Sequence, residues 1–315
     1  MNFLTLTQTL RVKCRVTGNG PTAVTGQSAE YNRLFLFINE AWMAIQRMHT
    51  DWRFMRATAS CPTVQGQQTY SPTADFGLTD FGYWALDHRN GDTFRNYANP
   101  QVTITIASPA VVSLTGHNLS NGQTVTFGTT GALPTGLTAG VPYFVVNRTA
   151  NDFQVAATAG GTPINTTGSQ SGNQTITSNN TRNFAGFLSE IFLDVSDYDW
   201  LRDTYFYGAN RMTPTRPIMV ARAPDNSLAC GPVTAAGYTL VGDYYKVPKE
   251  MVAATDVPSL PEQFHWAIVY RAMMAFGVSE AAPEIYDEGA ENLRTIIRQI
   301  EASELRRVTL PGALA

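Results

Sequence analysis

Residues 101–180 carry only two formally charged side chains, Arg148 and Asp152, in a 315-residue chain with 22 Lys and Arg and 25 Asp and Glu. The tract is made of Thr, Gly, Asn, Ser and Val, with alternation such as Gln101-Val102-Thr103-Ile104-Thr105-Ile106. Alternation at period two places one set of side chains on each face of a strand, so this stretch specifies half-buried β structure. It reads as a small all-β module, residues 101–180, set into a charged, helix-bearing host made of residues 1–100 and 181–315. Function is therefore sought first in the interrupted host, and the module is judged separately.

The bulk properties narrow the classes. Hydrophobic residues make up 43% of the chain and aromatics 11%, which suits a globular protein with a sizeable core. A net charge of −3 argues against a basic nucleic-acid groove. The three cysteines, Cys14, Cys61 and Cys230, are scattered, with no CxxC pair and no Cys/His cluster. Packed free thiols are expected rather than a zinc site or a disulfide framework. The start, Met1-Asn2-Phe3-Leu4-Thr5, has neither the basic start nor the apolar run of a signal peptide, and no window is long and apolar enough for a membrane span. The expectation is a soluble protein made and assembled in a cytoplasm, without membrane partners.

Along the chain, an extended start leads to a turn at Gly18-Asn19-Gly20-Pro21. Ser28 can cap a helix over about 29–51, whose apolar stripe includes Tyr31, Leu34, Phe35, Ile38, Trp42, Ile45 and Trp52. Short strand-like pieces occupy 54–98, with Gly66-Gln67-Gln68-Thr69-Tyr70-Ser71-Pro72 reading as a strand entering a turn. Beyond the module, 217–221 and 237–248 read as strands. Ser259-Leu260-Pro261-Glu262 has the form of a capping box for a helix from Pro261 to Phe276, apolar on nearly every face and ended by Gly277. A last helix over about 284–307 carries Ile285, Leu293, Ile296, Ile297 and Ile300 on one face and wet pairs Glu291/Arg294 and Arg298/Glu301 on the other. One N-terminal and two C-terminal helices must then meet in space. The fold class expected is α+β: a bundle of these three helices with a small antiparallel β region, plus the inserted all-β module. Trp42, Trp52, Phe264, Trp266, Tyr270 and Ile297 are the candidate core or subunit-packing residues. Leu310-Pro311-Gly312-Ala313-Leu314-Ala315 makes an unusually apolar end.

Chemistry is sparse. The four histidines, His49, His88, His117 and His265, have no metal-pair spacing. Asp87-His88-Arg89 with Asp92 is the best acid–base cluster, but it lies beside the turn Asn90-Gly91 and lacks a third group. Asp194, Asp197 and Asp199 miss the glycine and glutamate of a calcium loop and read as a polar turn with Tyr198 and Trp200 packed inward. Trp52-Arg53-Phe54-Met55-Arg56 has the aromatic and basic residues of a single-strand nucleic-acid platform, but reads better as a helix end whose aromatics enter the core. No cofactor, no metal and no catalysis are expected.

Two segments taken together carry a family resemblance. One is the early helix ending in Asp51-Trp52-Arg53-Phe54-Met55, followed by the run from Gly66 to Pro72. The other is Gly242-Asp243-Tyr244-Tyr245-Lys246-Val247-Pro248 followed by the run from Asp256 to Val269. This order resembles the head-to-tail adaptor (connector, or neck) proteins of tailed bacteriophages. The module, through Ser113-Leu114-Thr115-Gly116-His117-Asn118-Leu119 and Tyr143-Phe144-Val145-Val146-Asn147, resembles Ig-like β-sandwich modules of phage structural proteins. The resemblance implies a virion protein of the neck, assembled in the host cytoplasm, forming a ring of about twelve copies. Its implied partners are itself, the portal protein, tail, nozzle or fibre proteins, and genomic DNA passing through the lumen without sequence-specific binding. Leu310, Pro311, Leu314 and Ala315 are then the expected portal-docking residues. The alternative is a host-surface or carbohydrate-binding tail protein using the module, although that module has no Trp for sugar stacking.

Overall fold

In the computed structural model, which describes residues 1–86, 94–178, 190–208 and 213–305, the chain opens not extended but as a helix, α1 (Phe3–Lys13). Asn2 Oδ1 caps it by accepting the Thr5 N–H at 2.8 Å. Leu4-Thr5-Leu6-Thr7 alternates like a strand, yet the buried set is Phe3, Leu6, Thr7 and Leu10, the i, i+3, i+4, i+7 stripe of a helix. The hydroxyls of Thr7 and Thr9 donate back to the carbonyls of Phe3 and Thr5, so burial of the stripe overrides the weak helix preference of Thr. Helix α2 (Ala29–Met48) follows, with Ser28 Oγ accepting the Tyr31 N–H. It stops three residues short of the expected end. A 3₁₀ turn at Arg53–Met55 then leaves Trp52 fully buried, its Nε1–H donating to Ile45 O at 2.9 Å and its ring stacked on Phe54 at 5.3 Å.

Strands come next: β1 (Arg56–Pro62), β2 (Thr69–Tyr70), β3 (Phe81–Trp84) and β4 (Arg95–Ala98). The charge-poor tract supplies β5 (Gln101–Ile104), β6 (Val112–Ser113), β7 (Thr124–Thr129), β8 (Pro142–Val146), β9 (Asp152–Ala156) and β10 (Gln174–Ser178). After it come β11 (Glu190–Phe192), β12 (Asp194–Val195), helix α3 (Tyr198–Tyr205), β13 (Met219–Arg222), β14 (Leu228–Gly231) and β15 (Tyr238–Lys246). Helices α4 (Trp266–Ser279) and α5 (Pro283–Glu304) close the described chain. The fold is α+β, with five α-helices among the described residues where the sequence suggested three. Besides α1, the added one is α3, on the segment read as a polar turn. Asp197 caps it, Leu201 is its buried residue, and Trp200 faces outward at 49% exposure rather than inward.

Two compact units result, Met1–Ala57 with Tyr245–Ala315, and Thr58–Tyr244. The second contains one sheet in the order β1-β15-β4-β11, with β3 also on β15, and another in the order β12-β13-β14-β2, where only β12 and β13 run parallel. It also contains a closed barrel, β10-β5-β6-β9-β8-β7, in place of the two-sheet sandwich that the resemblance implied. Alternation drives its closure. Val102, Ile104, Val125, Phe127, Val145, Phe153, Val155 and Ile176 all point into one core, and register places Phe127 opposite Ile176, Val112 opposite Phe153 and Val145 opposite Val155. Closing on itself leaves the small barrel no unpaired edge.

The first unit holds α1, α2, α4 and α5 around Phe3, Leu6, Ile38, Trp42, Ile45, Ile268, Met273 and Ile300. The Phe3 and Phe35 rings meet edge-on at 5.0 Å, joining α1 to α2. The expected capping box does not form. Leu260 precedes Pro261 and so avoids the helical region; a 3₁₀ turn at Glu262–Phe264 intervenes, and α4 starts at Trp266. Nor does Gly277 end α4: it is buried inside it, where an added Cβ would lie 2.8 Å from Tyr286 N. Gly289 of α5 is its counterpart, with an added Cβ 2.8 Å from Tyr270 O. The two glycines bring α4 and α5 into backbone contact. Among the described residues no helix is long and apolar enough to cross a membrane.

Candidate assembly surfaces

Among the described residues, the histidines and cysteines singled out in the sequence occupy structural positions. His265 is buried, with Nε2 2.9 Å from Leu260 O and Nδ1 2.7 Å from the amino group of Met1. Burial, reinforced by that amino group, holds its pKa below the ordinary histidine value. His117 is buried in the barrel, edge-on to Phe153 at 5.1 Å, with Nδ1 accepting the Leu119 N–H; burial lowers its pKa too. His49 meets Glu301 at 3.1 Å, so Glu301 spans two helices instead of pairing with Arg298. His88, with Asp87, Arg89 and Asp92, lies outside the described residues. The three cysteines are free and buried; burial pushes Cys14 up to about 12 and raises Cys61 and Cys230 as well, so all three stay thiols. Among the described residues no three His, Cys, Asp or Glu side chains gather as a metal site.

The packing candidates separate into two groups. Trp42, Trp52 and Phe264 are buried core residues, and Phe54 packs beside the first two. Trp266 and Tyr270 stack at 5.7 Å on a partly open face of α4, where Trp266 is 37% exposed. Ile297 is half-buried, and Ile300 instead is the fully buried isoleucine of α5. Helix α4 is thus not enclosed on all sides. Leu310, Pro311, Leu314 and Ala315 lie outside the described residues. In the barrel, Phe127, Tyr143 and Phe153 are spent on its own core, which leaves no aromatic platform from those rings for a sugar.

The open surface of the helical unit is a groove between α2, α4 and α5. Small residues make it: Ala41 and Ala44 on α2 and Ala275 on α4 leave a space of about 400 Å³ between Phe37, Met274, Val278 and Tyr286. A second depression of about 300 Å³ continues it past Phe37 to Leu34 and Phe276, where Arg33 bridges to Glu280 at 2.5 Å. Glu40 and Arg271 border the larger space, and among the described residues neither has an ion-pair partner. Sequence periodicity missed this groove because alanines on a helix flank read as unremarkable. The combination of Ala41, Ala44 and Ala275 with exposed Leu36 and Val278 is the signal that was there.

Residues 145–312, more than half of the chain, match the family model for SU10 adaptor protein. The chain belongs to the SU10 adaptor family. The matched region begins within β8 of the barrel and runs through α3, α4 and α5, leaving α1 and α2 outside it. No match to the chain occurs among curated proteins.

Proposed function

We propose that the chain forms a homo-oligomeric ring that joins the portal of a phage head to the tail, with the genome passing through its lumen. Family membership is the observation that carries this reading. The apolar groove and the separately exposed Leu36, Trp266 and Val278 of the helical unit support it, because apolar surface left open on one copy is suited to burial against another. A net charge of −3 is compatible with a lumen that DNA slides through without being held. In this reading the helices form a bundle that is the core of the adaptor. The 101–180 barrel is an inserted module carried on the outside of the ring, where its neutral polar surface packs against neighbours without like-charge repulsion. The protein acts by position and does no catalysis.

The test is electron microscopy of the purified full-length chain, alone and with its portal. Rings of about twelve copies seated on the portal are expected. A chain that remains monomeric and ignores portal rings would overturn the proposal. Deleting residues 310–315 should leave folding intact and abolish portal attachment; normal attachment of the truncated chain would remove the tail from the docking surface.

A further inference from the structure

The helical unit carries, on the flank of α2 opposite the groove, an exposed loop with aliphatic tips. Residues 247–258 run along the helix, tied to it by two reciprocal clasps. Asn39 Nδ2 donates to Met251 O at 3.0 Å while the Met251 N–H donates to Asn39 Oδ1 at 3.1 Å. Gln46 Nε2 donates to Lys249 O at 3.1 Å while the Lys249 N–H donates to Gln46 Oε1 at 3.0 Å. The Asp256 carboxylate closes the loop on the backbone N–H groups of Val252 and Ala253, and its own carbonyl accepts from Phe3 N–H. The loop is therefore held firmly, yet it presents two valines to solvent, Val252 at 73% exposure and Val257 at 63%. Beside them stand Lys249 and Glu250, both exposed; the Val252 and Ala253 N–H groups, and then the Lys249 charge, hold the Asp256 carboxyl below its usual range.

Asn39 and Gln46 lie ~160° round α2 from the mean direction of Phe37, Glu40, Ala41 and Ala44, at 100° per residue. One flank of the helix is thus a concave apolar surface with a free acid and a free base, Glu40 and Arg271. The other is the clasped loop with aliphatic tips and an exposed base and acid, Lys249 and Glu250. A space of about 400 Å³ exceeds the ~150 Å³ cavity that holds a benzene ring, so it accommodates the valine tips. Complementary surfaces on opposite flanks of one body give head-to-tail contacts, which close into a ring when the rotation per copy divides the circle.

We infer that the occupant of the α2/α4/α5 groove is the 247–258 loop of a second copy of this chain, with Val252 and Val257 entering the groove and Lys249 and Glu250 meeting Glu40 and Arg271. The inference rests on the ring reading and names its subunit contact.

The experiment uses the full-length chain with single cysteines introduced at the exposed positions Val278→Cys, at the groove, and Val252→Cys, on the loop. Neither replaces a core residue, and the native thiols are at most 5% exposed, out of reach of a short bismaleimide crosslinker. Equal mixtures of the two variants, assembled as wild type assembles and checked for rings by microscopy, should crosslink to covalent dimers. Each variant alone should not crosslink, and the double variant should give a ladder. Val252→Glu should weaken self-association at least tenfold. Rings in which V278C links only to itself, or in which the mixture does not crosslink, would overturn the groove–loop contact and leave the ring intact. Absence of rings under every condition, portal included, would instead overturn the ring reading and this contact with it.

Discussion

Replacing Gly277 by Ala pits two effects of opposite sign against each other. By intrinsic preference alone the change should stabilise: Ala is better than Gly in a helix interior by about 1 kcal/mol. The packing says the reverse. A Cβ at 277 would sit 2.8 Å from Tyr286 N, 2.9 Å from Tyr286 Cβ and 3.0 Å from Ala282 O, two of them backbone atoms that cannot swing aside. Forcing an extra methyl into a closed contact costs about 1–3 kcal/mol. Gly277 is near the end of α4, so it regains less than the full propensity term. The expected net effect is destabilisation by about 1–2 kcal/mol. Gly289→Ala meets Tyr270 O at 2.8 Å, Met273 Cβ at 3.1 Å and the movable Met274 Cγ at 3.2 Å, but in the interior of α5 it regains the full propensity term, so it should cost less. Both changes push α4 from α5, so the double variant should cost less than the sum of the singles. Urea unfolding followed by helical circular dichroism gives all three values. If Gly277→Ala raised the midpoint by the ~1 kcal/mol that propensity alone predicts, the backbone contact between α4 and α5 would be refuted.

Removing the Asn39 clasp with Asn39→Ala should cost about 1–3 kcal/mol by leaving the Met251 N–H and C=O without their partners, and Gln46→Ala should act similarly on Lys249. Amide exchange at 249–253 should speed up in both variants, and unchanged exchange would show that the loop is held by other means. Stability should fall in mild acid. Burial keeps the folded pKa of His265 below its unfolded value near ~6.5, so the unfolded chain binds the extra proton. The stabilisation is present above pH ~6.5 and is lost as pH falls toward the lowered folded value. His265→Gln should flatten the pH dependence of the helical transition between pH 7.5 and 5, and an unaltered slope would assign it to other groups.

Several elements could be read directly from the residues. Ser28 and the stripe of Leu34, Ile38, Trp42 and Ile45 announce α2, because local capping and period 3.6 suffice to specify an amphipathic helix. The alternation at 101–106 announces a strand for the same local reason, and β5 spans its first four residues. Helix α1 escaped because its Leu/Thr alternation and its Phe3-Leu6-Leu10 stripe coexist, and only partners on α2 and α4 decide between them. The outward face of Trp200 escaped as well, since an isolated aromatic does not say which side it faces.

By itself, then, the sequence determined what local chemistry can determine: the charge-poor β tract, the long helices and the packed thiols. Tertiary structure alone decided closure into a barrel rather than a sandwich, since the choice depends on pairing between strands far apart in the chain. It also decided why Gly277 lies inside a helix, and that three alanines on two helices leave a groove while a valine-tipped loop stands on the opposite flank. Such features are spaces and directions, set by which backbones approach one another, and no single segment contains them.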